Sequence, residues 1–255
     1  MNTYPEDLFE SIEFDLVKQA IIKRAVTERA RERIAGLRPS SDYAVVMRDL
    51  QEVHEVLGLY QSDFSVPALA SEDIKPFLLR LKIQGATLEG EDFLILKNMI
   101  ESFNRVYSFF KTHADRTPSM QSKLSHLSKN KTVPDEIDRV LDRRGVVKTS
   151  ASAALGKIRS ALAKKRAAAD RIFYRAVKKY SGSGMLADIQ ESVHDNKRVL
   201  AIEGAFKGQV NGVFHGSSSK ATIFYVEPAE TLEINNEIAI LEDEEKREVT
   251  RILRL

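Results

Sequence analysis

From Ser150 to Tyr180 the chain runs through an alanine-rich stretch with no proline and a single glycine, Gly156. Strong helix formers without a breaker dictate one continuous helix. At about 1.5 Å per residue it is a rod roughly 45 Å long. Its charge is lopsided. Lys157, Arg159, Lys164, Lys165, Arg166, Arg171, Arg175, Lys178 and Lys179 stand against one acid, Asp170. Nine cations less one acid give a local +8, in a chain of 255 residues whose net charge is only +2. Whatever this chain folds into has to accommodate that rod.

The flanks supply a partner for it. Ser181-Gly182-Ser183-Gly184 ends the helix with flexible backbone. Asp188–Val193 and Lys197–Glu203 then read as strands around the turn-rich His194-Asp195-Asn196. Val213-Phe214 and Thr222–Val226 read as a second pair around Gly216–Ser219. These about 40 residues form a small antiparallel sheet, too small to stand alone. After Pro228, which suits a helix's first turn, the helical pattern returns with Leu232, Ile234, Ile238, Leu241, Val249 and Ile252. This last helix is acidic, with Glu230, Glu233, Glu237, Glu242, Asp243, Glu244, Glu245 and Glu248. Laid antiparallel, the basic and acidic helices would make a charge-complementary arm with the sheet at its end. The acidic helix stops in mid-pattern at RILRL, as expected of a chain cut from a longer protein.

Upstream of the rod, residues 1–149 are helical in pattern. Val17, Ile21, Ala25 and Ile34 keep a helical period from Phe14 until Gly36 and Pro39 stop it. Ser41 is placed to cap a second helix, whose Tyr43, Val46, Met47, Leu50, Val53 and Leu57 share one apolar face. Thr87 is placed to cap a third, carrying Phe93, Leu96, Ile100, Phe103, Tyr107 and Phe110. A shorter helix, Asp135–Leu141, follows a break at Pro134. One-sided stripes of this kind pack into a helical bundle, where they serve as core.

Composition narrows the chemistry. The chain has no cysteine, which excludes disulfides, thiolate metal sites and cysteine nucleophiles. The acidic start MNTYPEDLFESIEFD is not a signal peptide, and no apolar run approaches the roughly 20 residues of a membrane span. A soluble, cytoplasmic chain with no membrane partner is expected. Gly216-Ser217-Ser218-Ser219-Lys220 lacks the spacing and flanks of a Walker A loop. His54, His113, His126, His194 and His215 form no metal-binding pattern; the first lies in an amphipathic helix and the others in expected loops or turns. No serine sits in a nucleophile elbow. No catalytic residue, metal site or cofactor is therefore assigned, and the chain is not expected to be an enzyme.

A longer set of residues resembles a known family. Gly212-Val213-Phe214-His215, Thr222–Val226, Glu227-Pro228, Leu232–Glu237 with its Asn235-Asn236 pair, and Leu241–Glu248 occur in order. Upstream stand Ile12–Asp15, Leu37–Ser40, Asp73–Pro76, Gly145–Val147, Ala151–Ala153 and Ile158-Arg159. Together they resemble the bacterial MutS paralogues of the second type, which lack the mismatch-reading domain. The resemblance implies a mainly α fold: a helical core bundle, two long lever helices and a small antiparallel β clamp at the tip. The core would be 1–149, the outgoing lever 150–181, the clamp 182–227 and the returning lever 228–255. In the family the returning lever feeds a dimerising ATPase domain, which would hold ATP and magnesium and is often followed by a Smr nuclease domain. The implied parent is a homodimer that clamps duplex or branched DNA and suppresses recombination, or that serves ribosome quality control. Phe214, Gly216, Ala221, Ala201 and Glu203 depart from the family's usual residues, so clamp contacts with DNA are where this chain would differ.

The candidate DNA contacts are Lys164, Lys165, Arg166, Arg171, Arg175, Lys178 and Lys179 on the rod, with Lys197, Arg198, Lys207 and Lys220 in the sheet region. Phosphate binding needs only well-placed Lys and Arg. With few aromatics among them (Phe173, Tyr174, Phe206), sequence-independent backbone contact is expected rather than base stacking. The alternative is a lever or scaffold that docks a protein or ribosomal partner, its basic helix neutralised by the acidic one.

Overall fold

The computed structural model describes residues 11–62, 64–70 and 72–254. The acidic start at residues 1–10 and the final Leu255 lie outside the described residues. The architecture is mainly α with one four-stranded antiparallel sheet. It divides into two compact units, Met1–Lys148 and Thr149–Leu255.

The first unit contains α1 (Phe14–Ile22), α2 (Glu28–Ala35), α3 (Tyr43–Gln61), α4 (Lys75–Leu81), α5 (Gly90–Thr112), α6 (Pro118–Leu124) and α7 (Thr132–Val140). The helix expected from Phe14 to Ile34 is broken. Thr27 has extended backbone, and its hydroxyl accepts the Ala30 N–H, so a new helix starts there. Asp42 rather than Ser41 caps α3, its carboxylate taking the Ala44 and Val45 N–H groups. Glu89 rather than Thr87 is the cap residue of α5, and in return the carboxylate of Asp92 accepts the Glu89 N–H. Pro134 does not precede α7 but lies in its first turn, where its missing N–H costs no helical hydrogen bond.

The apolar stripe of α3 is also not the core expected of it. Tyr43, Leu50 and Val53 are 77%, 58% and 64% exposed. The other side of α3 packs instead. The buried Glu55 carboxylate accepts the Ser119 N–H at 3.0 Å and its hydroxyl at 2.7 Å, capping α6 from outside. Leu59 is buried on the same side, and Lys123 of α6 pairs with Glu52. Lys97 of α5 reaches Asp138 of α7. Two backbones meet at Gly90 and Gly145: a Cβ on Gly90 would lie 1.8 Å from the Gly145 carbonyl oxygen, and Gly145 has φ +77°.

The second unit opens with α8 (Ala153–Gly182), capped by the Ser152 hydroxyl, which accepts the Leu155 N–H at 3.0 Å. The strands are β1 (Leu186–His194), β2 (Lys197–Glu203), β3 (Gly212–Ser217) and β4 (Ile223–Pro228), in the order β1-β2-β4-β3. Asp195 and Asn196, at φ 46° and 62°, make the two-residue turn that suits a twisted hairpin. Central β2 buries Val199, Leu200, Ala201 and Ile202. Leu200 and Ile202 pack with Phe173, Ala176 and Tyr180 from the last turns of α8. Pro228 closes β4 and is the cap residue of α9 (Ala229–Leu253), so strand passes into helix without a loop.

Candidate nucleic-acid interface

The two long helices run antiparallel, and their side-chain pairs record it. Ser152 bonds Glu248, Arg159 pairs with Glu245 at 2.6 Å, Arg166 with Glu242 at 2.7 Å and Lys165 with Glu237. Near the sheet Lys179 pairs with Glu230 at 2.8 Å. Each step up α8 is a step down α9. Arg251 and Ser152 together hold the Glu248 carboxyl down to about 2. The Glu230 carboxylate raises the affinity of Lys179 for its proton.

This pairing divides the candidate contacts. Of those on α8, Lys165, Arg166 and Lys179 are ion-paired to α9. Lys197 pairs with Glu227 at 3.1 Å, and Arg198 with Asp170 at 2.9 Å and Glu191 at 2.6 Å. The Arg198 guanidinium also lies 4.5 Å from the Phe173 ring centre. Burial works against its charge, but the two carboxylates outweigh it and bind the proton more tightly. Lys207 rests over the rings of Phe214 and Phe224, 4.8 and 4.4 Å from their centres. Among the described residues, Lys164, Arg171, Arg175, Lys178, Lys207 and Lys220 make no ion pair.

The unpaired cations of α8 share a side. At about 100° per residue, Lys157, Lys164, Arg171, Arg175 and Lys178 fall within about 60° of one another, over roughly 30 Å of helix. All five are exposed. Leu155, Leu162, Phe173, Ala176 and Tyr180, the buried residues of α8, lie on the opposite side. Lys157 is not among the candidate contacts named from the sequence; the spacing 157, 164, 171, 175, 178 is the signal that includes it.

A second cluster was missed as a unit. Glu227 is 1% exposed, and its carboxylate accepts Asn235 Nδ2 at 2.7 Å, His215 Nε2 at 2.8 Å and Lys197 Nζ at 3.1 Å. It thereby ties β4 to β3, to the start of β2 and to α9. Burial pushes this carboxyl up, but the three donors outweigh it and hold it below the ordinary value. Gly212 must be glycine for the same packing, since a Cβ there would lie 2.1 Å from the Glu227 carbonyl oxygen. His215 thus belongs to a strand, not to a loop. The residues that carried the family resemblance, Gly212, His215, Glu227 and Asn235, meet at one buried carboxylate.

Lys220 follows Gly216–Ser219 in the turn joining β3 to β4. A phosphate-cradling loop needs a helix N-terminus directly after it, and here a strand follows. These residues do not fit a nucleotide's phosphates. Among the described residues no helix is long and apolar enough to cross a membrane.

No family model matches the chain. Among curated proteins it is similar to Endonuclease MutS2 of Staphylococcus carnosus, 27% identical over 248 residues. The same-named protein of Clostridium beijerinckii is 29% identical over 244 residues, and that of Aquifex aeolicus 25% over 246. These matches cover 95% of this chain in each case and 31–32% of the relatives' length. Along nearly its whole length, then, this chain is similar to proteins named MutS2, and it spans about a third of the length of the curated relatives it matches.

Proposed function

We propose that this chain is the core, lever and clamp region of a MutS-like protein, and that it holds nucleic acid through the outward side of α8. In this reading residues 1–149 are the core, 150–181 the outgoing lever, 182–227 the clamp and 228–255 the returning lever. The ligand is DNA, duplex or branched, gripped by its phosphates without regard to sequence in a repair-like or anti-recombination process in the cytoplasm. ATP and magnesium belong to the further part of a homodimeric parent. The observation that carries the reading is the stripe Lys157, Lys164, Arg171, Arg175 and Lys178: exposed, aligned and free of ion pairs among the described residues. Acids are plentiful on α9, yet they neutralise the other cations. Lys207 and Lys220 extend the cationic surface onto the sheet.

The test is an anisotropy titration of the chain with duplex and four-way-junction DNA across salt concentrations. Five neutralised phosphates give a slope of log K against log salt of about −4.5, or roughly 500-fold weaker binding between about 50 and 200 mM. Replacing the stripe with glutamine should abolish most of the binding and flatten the slope. Binding indifferent to salt, or to the stripe, overturns the proposal.

The cross-helix ion pairs favour a second reading, in which α8 and α9 are a stiff lever that docks a protein or ribosomal partner. Under that reading, reversing the charges of Arg171, Arg175 and Lys178 leaves nucleic-acid affinity unchanged.

A further inference from the structure

Tyr174 sits at the edge of the cation stripe, one turn from Arg171 and from Lys178 and next to Arg175 in sequence. Its side chain is 58% exposed and makes no hydrogen bond among the described residues. The Lys178 amine lies 5.7 Å from its ring centre. A lone exposed ring is ordinary on a protein surface; its surroundings here are not. On one side it walls a shallow groove of about 470 Å³ shared with Asp170, Arg171, Arg175, Lys178 and Arg198. On the other it walls one of about 430 Å³ floored by Val177, Ser181, Gln190 and Glu191. The acids in both grooves, Asp170 and Glu191, are engaged by Arg198. The net field around the ring is therefore positive, and each hollow is of nucleotide size.

We infer that Tyr174 is a stacking platform for an unpaired nucleobase, and that this site takes a strand with at least one base outside a duplex. The inference rests on the phosphate-binding reading above. The physical reason is access. In a duplex each base hides both faces against its neighbours and shows only its edges, so an exposed ring on a helix has no face to stack on. In a single strand, a gap or the centre of a junction, bases are free to leave the stack. A base lying on Tyr174 would place its own phosphate and the next within reach of Arg171, Arg175 and Lys178. Aromatic faces accept any base, and cations hold any backbone, so the site reads strandedness rather than sequence. Single-stranded DNA and single-stranded RNA present the same chemistry.

The test uses the full chain with 12-nucleotide DNA and RNA single strands carrying 2-aminopurine, a gapped duplex, and an intact hairpin duplex. Tyr174→Ala should weaken the single strands and the gapped duplex about tenfold. It should also remove the 2-aminopurine quenching, with the duplex affinity and every salt slope unmoved. Tyr174→Phe should restore both affinity and quenching, because the ring face and not the hydroxyl is used. A DNA-over-RNA difference names the natural strand. Equal loss on duplex and single strand, or no loss on either, overturns the inference, as does a Tyr174→Phe variant that behaves like Tyr174→Ala. Glutamine replacement of Lys164, Arg171 and Arg175 separates the two proposals. If it weakens binding while Tyr174→Ala does not, the platform alone falls. If the wild-type chain binds no nucleic acid at low salt, the phosphate reading falls and takes the platform with it.

Discussion

A buried carboxylate is tolerable only when its oxygens are occupied, and Glu227 fills both with donors from three other elements. Glu227→Ala would leave Lys197, His215 and Asn235 facing a void, at a cost of about 3–5 kcal/mol in urea unfolding of the second unit. Because the folded-state pKa lies below its ordinary 4.5, the stabilisation is complete above that pH and is lost as pH falls through the lower, folded value. The unfolding midpoint should thus be insensitive to this group from pH 7 to 5 and drop below about 4.5. Glu227→Ala should remove that acid-dependent drop. The glycines divide just as sharply. Gly145→Ala puts a Cβ 2.8 Å from the Gly90 carbonyl carbon at φ +77°, and should lower the melting temperature of the first unit. Gly58→Ala, inside α3 with nothing within 4 Å, should raise stability by about 0.5–1 kcal/mol.

At the scale of the element, helix type was legible and helix ends were not. The α8 rod was plain from its unbroken sequence, because no tertiary contact was needed to favour a helix there. The starts of α2, α3 and α5 depended on which of several neighbouring polar side chains took the free N–H groups, and Ser41, Asp42, Thr87 and Glu89 are all chemically able. The paired helices invite a direct measurement. Lys165 and Glu237 are both nearly half exposed, so the pair is worth less than about 1 kcal/mol. Lys165→Glu alone should destabilise slightly more than that, through repulsion by Glu237. The swap Lys165→Glu with Glu237→Lys should recover most of the loss at low salt, and the recovery should fade as salt rises. Thermal melts at two ionic strengths would show it.

For the whole molecule, the sequence by itself determined a mainly α chain, a long basic helix answered by an acidic one, and a small sheet between them. Composition and period carry that information because each is a local property of consecutive residues. It also carried the ordered motifs on which the family resemblance rests. Only the tertiary structure decided which cations are spent and which remain. Lys165 and Lys164 are neighbours of the same chemistry, yet one meets Glu237 and the other meets solvent, and that follows from the register of two helices far apart in sequence. The same holds for Glu227, an unremarkable acid beside a proline until the fold brings Lys197, His215 and Asn235 to it. Whether the stripe on α3 or its opposite side would pack was likewise settled by where Ser119 lies. Pairing across long sequence distances depends on geometry that no local pattern encodes.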